Sequence, residues 1–546
     1  MKKLYYSLIF SHFFNRYKSL FILLIVVSGT ILIDFVVFKN INSAHFAHLN
    51  SLLSQSEQLK MEFAPETWLS LLGLVLGTLI VVISIASQST PKLIDLYIND
   101  IKSLFYVWFI SIGSLHNVYL QLFFSENSHH TPSYKASILL NTYVMLPIAL
   151  LLAIPYVIYI LLYTKTNNVI WRIYISSLQR IDTIKYINTK KQMDEYQYRL
   201  LEALNQLDDL LEYASFKEPK AEIISRMSAI AQYYVRNKNT FPHDFFLMYE
   251  KARNDVSFKT MNEQYDEMEA SHTFFEQKIF RLFGDAYLRL IERGDFALAT
   301  LVAAELSKCG KIAAQQQDEA LMNVILIRFN TLLRFGIKHG LRNSEARNLY
   351  NAIMHYSDFI AYLINTKQEK YVKQSLFYLN IYTKEIYRHS QQDGSFTFLV
   401  DVFTYEMQKL LMQLSHTTLP ETLQEDVLNA FLQIDDLAAS GGEQVAQEKM
   451  RLMGGVRVLQ VSLGLFYMKE GKEHFVKKIV TDICEDIGMF GKEKLISFVE
   501  NTCQRLRSAT PTFWEDTDRG NGNLYYSENK AQIDAFLTLF RAELPQ

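Results

Sequence analysis

The chain has few cysteines and no surplus of basic residues, and each shortage argues against a class of protein. Its 546 residues include three cysteines and carry a net charge of −2. Cys309, Cys484 and Cys503 form no CxxC pair, so the sequence predicts neither a zinc site nor a redox pair and fits a reducing compartment. Without a basic surplus we expect no nucleic-acid partner.

Motifs of the common catalytic sites are also missing. The chain contains no GxxxxGK[ST] phosphate loop, no HExxH motif and no GxSxG nucleophile elbow. His389, His416 and His474 each stand alone in helical patterns, which is typical of surface or core residues. We therefore expect no cofactor and no metal. Nothing argues for an enzyme, although an active site assembled from scattered residues would leave no motif.

Charged residues are nearly absent from four long apolar runs in the first third of the chain. A helix needs about 20 residues to cross the roughly 30 Å hydrocarbon core of a bilayer. All four runs qualify, and Asp34 is the only Asp, Glu, Lys or Arg inside them. The sequence predicts a four-span transmembrane domain over residues 20–170, with spans at 20–38, 68–86, 104–124 and 138–163.

The flanks of these spans predict the orientation. Residues 1–19 carry basic residues among apolar ones at helical spacing and suggest an amphipathic helix on the membrane surface, or equally an extension of the first span. Lys and Arg are retained on the cytoplasmic side. They are more frequent before residue 20, between spans two and three, and after residue 163 than in the other two loops. We expect both termini in the cytoplasm.

A polar stripe follows one side of the third predicted span. At 100° per residue, four polar side chains fall within about 60° of one another and a fifth lies at the edge of that arc. The stripe would line a pore shared between subunits, or make hydrogen bonds between helices. His116 lies on another side of the helix and is predicted to be an isolated polar contact. The stripe residues are Ser103, Ser111, Ser114, Asn117 and Gln121.

Other features of the spans and loops carry weaker signals. Asp34 is either a functional carboxylate or a side chain that snorkels towards Lys39. Gly73 and Gly77 form a GxxxG pair, which is typical of close helix packing. The two outer loops contain residues that would bind zinc or report pH, although no ligand spacing supports this. These residues are His45, His48, Glu126, His129 and His130.

Residues 171–546 show a helical pattern almost throughout. Apolar residues recur at a spacing of 3.6, and glycine and proline are scarce, with 20 and 10 in the whole chain. Segments of roughly 12–30 residues between breaks favour antiparallel helix pairs. Without a fixed period we expect an irregular bundle, with solenoid-like helix pairs as the alternative. The predicted fold class is all-α, with a possible subdivision near 420–442.

The connection between spans two and three carries a family resemblance. Thr90 and Pro91 predict a helix N-cap and first turn. Residues 83–100, ISIASQSTPKLIDLYIND, resemble a signature of the bacterial predicted membrane proteins known as domain of unknown function 2254, over about residues 15–165. The resemblance implies a bacterial inner-membrane protein and no particular activity. Its matching residues are Ser87, Gln88, Thr90, Pro91, Lys92, Leu93, Tyr97 and Asp100.

Three functions are consistent with these patterns. The first is a non-enzymatic membrane protein whose cytoplasmic helical domain binds a protein partner or senses a state. On this interpretation the spans sit in the lipid bilayer as a homo-oligomeric platform. The second is an oligomeric ion channel or conduit, with the third span lining the pore. The third is an enzyme without a recognisable motif, which would require a polar cluster that the sequence does not reveal.

Overall fold

The computed structural model describes most of the chain after residue 63, and these residues are almost entirely helical. The all-α prediction is confirmed. The chain forms two compact units, Met1–Arg172 and Ile173–Gln546. The described residues are 64–89, 101–123, 137–259, 261–343, 345, 347–391, 393–436, 443–517 and 520–545.

Among its described residues, the first unit contains three long helices and one π-helical segment before residue 165. They are α1 (Ala64–Ser89), α2 (Ile101–Phe123), the π segment (Leu139–Met145) and α3 (Leu146–Thr164). Buried apolar side chains from all of them pack together, among them Trp68, Ile110 and Ala149. The Tyr106 hydroxyl donates to the Ala149 carbonyl at 2.8 Å, which joins α2 to α3 by a polar contact as well.

Proline marks the point where the π segment gives way to α3. Pro147 lies in the first turn of α3, where a residue without an N–H group removes no intrahelical hydrogen bond. Pro155 lies inside α3, and the helix continues past it to Thr164. Both prolines lie in the predicted span 138–163, and proline is a common cause of helix kinks. The departure from α-helical geometry lies before Pro147, over Leu139–Met145.

Three described helices are long and apolar enough to cross a membrane, by length and composition alone. The spans are Ala64–Val81, Leu140–Ile160 and Glu319–Asn343. The first two overlap the predicted spans 68–86 and 138–163. The third was not predicted, and 56% of it is buried inside the second unit.

The prediction of four spans is therefore not reproduced. The predicted span 104–124 is helical as α2, but it is not among the three candidates. The physical reason is its stripe of serine, asparagine and glutamine, which interrupts the apolar run. The predicted span 20–38 and the predicted surface helix 1–19 lie outside the described residues.

The second unit consists of many helices of very different length. The helix α4 (Thr166–Ile184) contains the division between the two units. The later helices are α5 (Lys190–Tyr213), α6 (Lys217–Asn237), α7 (Glu250–Arg253), α8 (Tyr265–Ala270), α9 (Phe274–Glu292), α10 (Phe296–Gln315), α11 (Glu319–Asn343), α12 (Arg347–Asn365), α13 (Glu369–Ser390), α14 (Thr397–Ser415), α15 (Glu421–Leu432), α16 (Glu443–Lys469), α17 (Glu473–Glu485), α18 (Ile487–Phe490), α19 (Lys492–Ser508) and α20 (Ile533–Glu543).

Short elements join some of these helices. Two strands, β1 (Thr512–Thr517) and β2 (Gly520–Gly522), pair in antiparallel fashion where the sequence predicted a loop at 510–523. The 3₁₀ turns are Lys238–Thr240, His243–Phe246, Asn262–Gln264, Gly394–Phe396 and Lys530–Gln532.

The long helices of the second unit stack in two layers. In one layer α10 packs between α6 and α12, and α12, α14 and α16 follow in order. In the other layer α9, α11, α13 and α15 pack successively. From α9 to α15 each helix also contacts the next helix along the chain. This packing resembles the solenoid-like helix pairs that the sequence left open as the alternative to an irregular bundle.

One type of turn ends five helices of this unit. In each turn a residue with φ between 54° and 74° donates its N–H to the carbonyl three residues earlier. The next N–H reaches the carbonyl five residues before it, which completes a Schellman cap. Glycine occupies two of the five positions and matches predicted breaks. The five residues are His272, Gly294, Gln317, Lys367 and Gly471.

Candidate functional sites: a buried polar cluster and an aromatic cleft

Asn141 lies at the centre of a polar cluster inside the first unit. Its side chain, fully buried, projects from the π segment. The Trp68 indole N–H donates to Asn141 Oδ1 at 2.9 Å, and the Asn117 amide donates to the same oxygen at 3.1 Å. One oxygen therefore accepts hydrogen bonds from both α1 and α2. We call Trp68, Gly113, Ser114, His116, Asn117 and Asn141 the Asn141 cluster.

The amide nitrogen of Asn141 points towards α2 as well. It donates to the Gly113 carbonyl at 2.9 Å and lies 3.1 Å from His116 Nδ1. An amide nitrogen only donates, so His116 Nδ1 is the acceptor in this contact. His116 therefore belongs to the cluster, and its prediction as an isolated polar contact was wrong. The prediction considered only the angular position of His116 on its own helix. It did not include Asn141, which contacts His116 from another helix.

Because Gly113 has no side chain, the indole of Trp68 can pack against the backbone of α2. A Cβ atom at this position would lie 2.3 Å from the nearest indole carbon, a distance that atoms do not adopt. Ser114, the next residue, donates its hydroxyl to the Ile110 carbonyl at 2.8 Å. The cluster thus combines neutral hydrogen bonds with one close approach, and it connects α1, α2 and the π segment.

Two polar atoms near this cluster have acceptor capacity left. Asn117 Oδ1 and Thr142 Oγ1 are buried and have no hydrogen-bond partner among the described residues. A buried polar group is costly in apolar surroundings unless it is hydrogen-bonded. The cluster can therefore accept one or two further donors, such as a water molecule or a side chain of another helix. It contains no charged group.

The predicted stripe of α2 does not share one environment. Ser114 and Asn117 are buried in the Asn141 cluster, Ser111 is half-buried and Gln121 is exposed. Ser103 lies in the first turn of α2, and its side chain is outside the described part of the structure. The structure therefore brings together two of the five predicted residues and adds Asn141 and Trp68 to them.

Sequence reasoning missed these two residues for different reasons. Asn141 is the first strongly polar residue in the predicted span 138–163, and this interruption was the available signal. Trp68 begins the predicted span 68–86, a position at which aromatic rings usually face the membrane interface. The indole is instead buried, with 1% of its surface exposed, and its N–H is satisfied by Asn141.

The remaining predicted residues are less constrained. A Cβ atom added at Gly73 or Gly77 meets no described atom within 4 Å, so that side of α1 is open among the residues that the structure describes. Ser87 and Gln88 lie in the last turn of α1. Outside the described residues lie Asp34, Thr90, Pro91, Lys92, Leu93, Tyr97 and Asp100, together with His45, His48, Glu126, His129 and His130.

A cleft of about 400 Å³ opens in the second unit. Its wall is made by the 3₁₀ turns that follow α6, by the cap between α8 and α9, and by the cap between α10 and α11. Two of the residues with positive φ, His272 and Gln317, line it. We call this site the aromatic cleft. Its chemically distinctive residues are Lys238, Phe241, His243, Phe246, His272 and Asp318.

An ion-paired triad contributes two residues, Lys238 and Asp318, to the lining of the aromatic cleft. The Lys238 ammonium is 2.8 Å from Glu276 Oε1 and 2.7 Å from Asp318 Oδ2. Asp318 also caps α11, because its Oδ1 accepts the Leu321 N–H at 3.0 Å. Glu276 is completely buried, and burial raises the pKa of its carboxyl although Lys238 opposes that shift. Two carboxyl groups thus share one ammonium.

Aromatic rings form the upper wall of the cleft. The rings of Phe246 and His272 stack with centroids 4.0 Å apart, and His243 meets His272 edge-on at 5.1 Å. Burial lowers the pKa of His272, and the neighbouring His243 and Lys238 lower it further. The His272 imidazole is therefore neutral at pH 7. Phe241 packs against Tyr234 with a centroid distance of 5.1 Å.

No motif or periodicity in the sequence indicates this cleft. Its residues come from separate segments between positions 235 and 318, and only the stacking of helix pairs brings them together. The enzyme hypothesis required a polar cluster that the sequence does not reveal. The triad of Lys238, Glu276 and Asp318 is a polar cluster of this kind. Within the described residues no group of three or more His, Cys, Asp or Glu side chains is placed to hold a metal ion.

Comparisons with known proteins add little. No protein-family model matches the chain, and no curated protein matches it. A solved structure described as a circular tandem repeat protein with novel repeat topology and enhanced subunit contact surfaces is similar to it, with a TM-score of 0.31 and 11% sequence identity. The match covers 68% of this chain and 96% of that one.

Proposed function

We propose that the protein is a non-enzymatic integral membrane protein whose four-span domain anchors a cytoplasmic helical domain that binds a partner or senses a state. The four spans are α1, α2, the segment 138–163 and residues 20–38. The membrane is the inner membrane of a bacterium, with both termini in the cytoplasm. The resemblance of residues 83–100 to the family of unknown function supports this location.

The distribution of polar and apolar side chains in the first unit carries the proposal. Leu151 and Ile154 of α3 are 76% and 70% exposed, and Leu122 of α2 is 73% exposed, whereas Asn141 and Asn117 are buried. In water each exposed apolar Å² costs about 25 cal/mol. In hydrocarbon this cost vanishes, and polar side chains pair with one another between helices. The first unit therefore has the polarity expected of a protein dissolved in lipid.

The open side of α1 supports an oligomeric platform. Small residues such as Gly73 and Gly77 allow the backbone of another helix to approach closely, which is a main source of helix association in lipid. A second copy of this chain would supply such a helix.

The stacked helix pairs of the second unit support the interaction part of the proposal. Solenoid-like arrays present extended surfaces, which such proteins use for binding. Here α11 and α13, neighbours in one layer, expose Ile327 and Phe377 at 57% and 60%. The conduit alternative has less support, since Ser114 and Asn117 are engaged inside the Asn141 cluster.

Photo-crosslinking in living cells tests the proposal. A photoreactive amino acid at Phe377 is expected to give a discrete protein adduct, whereas the same group at Leu151 gives adducts with lipid or with a second copy. The full chain in planar bilayers should carry no current. Currents that change with Asn117→Ala or Gln121→Ala, together with no adduct at Phe377, would establish the conduit instead.

A further inference from the structure

We infer that the aromatic cleft binds a small organic cation, an ammonium group that carries alkyl substituents. This names a ligand class for the sensing role and rests on that part of the proposed function. Binding is measured on the purified chain, so it succeeds or fails independently of the partner crosslinks and of conductance.

The size of the cleft suits a small ligand. Ligand pockets commonly enclose 300–1,000 Å³ and place a few polar groups against an apolar wall. With about 400 Å³, the aromatic cleft lies at the lower end of that range. Its polar groups converge from turns that are each fixed by a helix cap or a 3₁₀ turn, so the site is built by the fold.

The wall of the cleft favours a positive charge. Four of its lining residues, Phe241, His243, Phe246 and His272, are aromatic. A cation over an aromatic face is attracted by about 0.5–2 kcal/mol, and cages of several rings recognise alkylated ammonium groups. A neutral His272 leaves that attraction intact, because no imidazolium charge repels the ligand.

The ion-paired triad has one ammonium for two carboxyl groups. Lys238 and Asp318 line the cleft, and the completely buried Glu276 contacts the same ammonium. The cleft therefore presents no uncompensated lysine charge that would repel an ammonium group.

The same charges argue against an anionic ligand. Phosphate or a nucleotide needs a surplus of cationic or N–H donors. Here the only lysine of the cleft is held by two carboxylates.

Calorimetric titration of the full chain in detergent tests this inference. The probes are choline, its uncharged isostere 3,3-dimethylbutan-1-ol, and inorganic phosphate. We expect saturable choline binding, with the isostere and phosphate at least tenfold weaker. Equal binding of the isostere, tighter binding of phosphate, or no saturable choline binding at millimolar concentration would each overturn the inference.

A pair of matched variants locates the binding. Phe246→Leu keeps an apolar side chain and removes a π face, so choline affinity should fall about 3- to 30-fold. Phe398→Leu makes the same change at a half-exposed ring of α14 and should leave affinity unchanged. Circular dichroism and the melting temperature confirm that both variants fold. Equal choline affinity of the two folded variants would contradict the assignment to this cleft.

Discussion

The two units of the chain distribute polarity in opposite ways. In the first, the interior holds an uncharged amide, imidazole, hydroxyl and indole network, while the outside of α3 exposes leucine and isoleucine. In the second, the described interior is largely aliphatic and aromatic, and its buried polar groups include ion-paired charges beside neutral side chains. The proposed location of the first unit in lipid accounts for the difference, since apolar side chains on its outside would then face hydrocarbon.

The buried charges around Arg457 illustrate this contrast. Arg457 is 3% exposed and contacts three carboxylates, with 3.1 Å to Asp435 and 2.6 Å to Asp486. The third partner is Asp482. The Asn141 cluster of the first unit contains no Asp, Glu, Lys or Arg, as the proposed lipid environment requires, since an ion is far costlier in hydrocarbon than an amide. The two interiors therefore depend on different interactions.

The largest expected effect comes from breaking the charge cluster. Arg457→Met leaves one buried and two half-buried carboxylates without their cation and should lower the free energy of unfolding by about 3–5 kcal/mol. The matched control is Arg541→Met, which removes a largely exposed pair with Glu500 and should cost at most about 1 kcal/mol. Thermal melts of both variants measure the difference. Similar melting temperatures would show that the buried pairs do not stabilise the second unit.

Removing the centre of the polar cluster should have the next largest effect. Asn141→Leu leaves the Trp68 N–H and the Asn117 amide without their acceptor, so we expect a loss of about 1–3 kcal/mol. Gln121→Leu changes an exposed polar residue of α2 and should be neutral or stabilising in a bilayer. Unfolding in lipid bicelles gives both values. A greater loss of stability for Gln121→Leu than for Asn141→Leu would contradict the assignment of Asn141 to the interior and of Gln121 to the surface.

A single methyl group tests the close approach of Trp68. Gly113→Ala should cost about 1–3 kcal/mol through overpacking and should make the indole fluorescence less uniform. Gly73→Ala is the control, because a Cβ there meets no described atom. If both substitutions cost the same, the indole does not occupy the place assigned to it.

A pH titration tests the comparison in a different way. Burial raises the pKa of Asp482 to about 7, against the opposing effect of Arg457, and Asp435 and Asp436 add to the increase. A raised carboxyl pKa favours the protonated folded state, so this contribution is complete below about pH 4 and is lost as pH rises to about 7. The free energy of unfolding of Asp482→Asn, measured relative to wild type, should therefore increase as pH rises from 5 to 8. The exposed Asp534→Asn should show no such trend in parallel denaturant titrations.

The sequence predicted the helices far better than their arrangement. Glycine at 294 and 471 marked two caps, because glycine adopts positive φ without a steric penalty. Gln317, Lys367 and His272 adopt the same conformation and gave no such mark. The layered stacking was also not predictable with certainty, since the helices differ in length and produce no fixed period.

The candidate sites were also only partly predictable from the sequence. Ser114 and Asn117 were found because one helix periodicity places them together. Asn141, His243 and Asp318 take part through contacts between distant segments, and single-helix periodicity contains no information about such contacts. Polar residues within an otherwise apolar run were the most useful signal that the sequence offered.

Spin labelling tests the central contrast most directly. Single cysteines replace Leu151 and Phe377 in a background without Cys309, Cys484 and Cys503, and the chain is placed in liposomes. We predict that a nitroxide at 151 collides frequently with oxygen and rarely with a water-soluble nickel chelate, and that a nitroxide at 377 shows the reverse. Equal access of the nickel chelate to both positions would contradict a first unit dissolved in lipid.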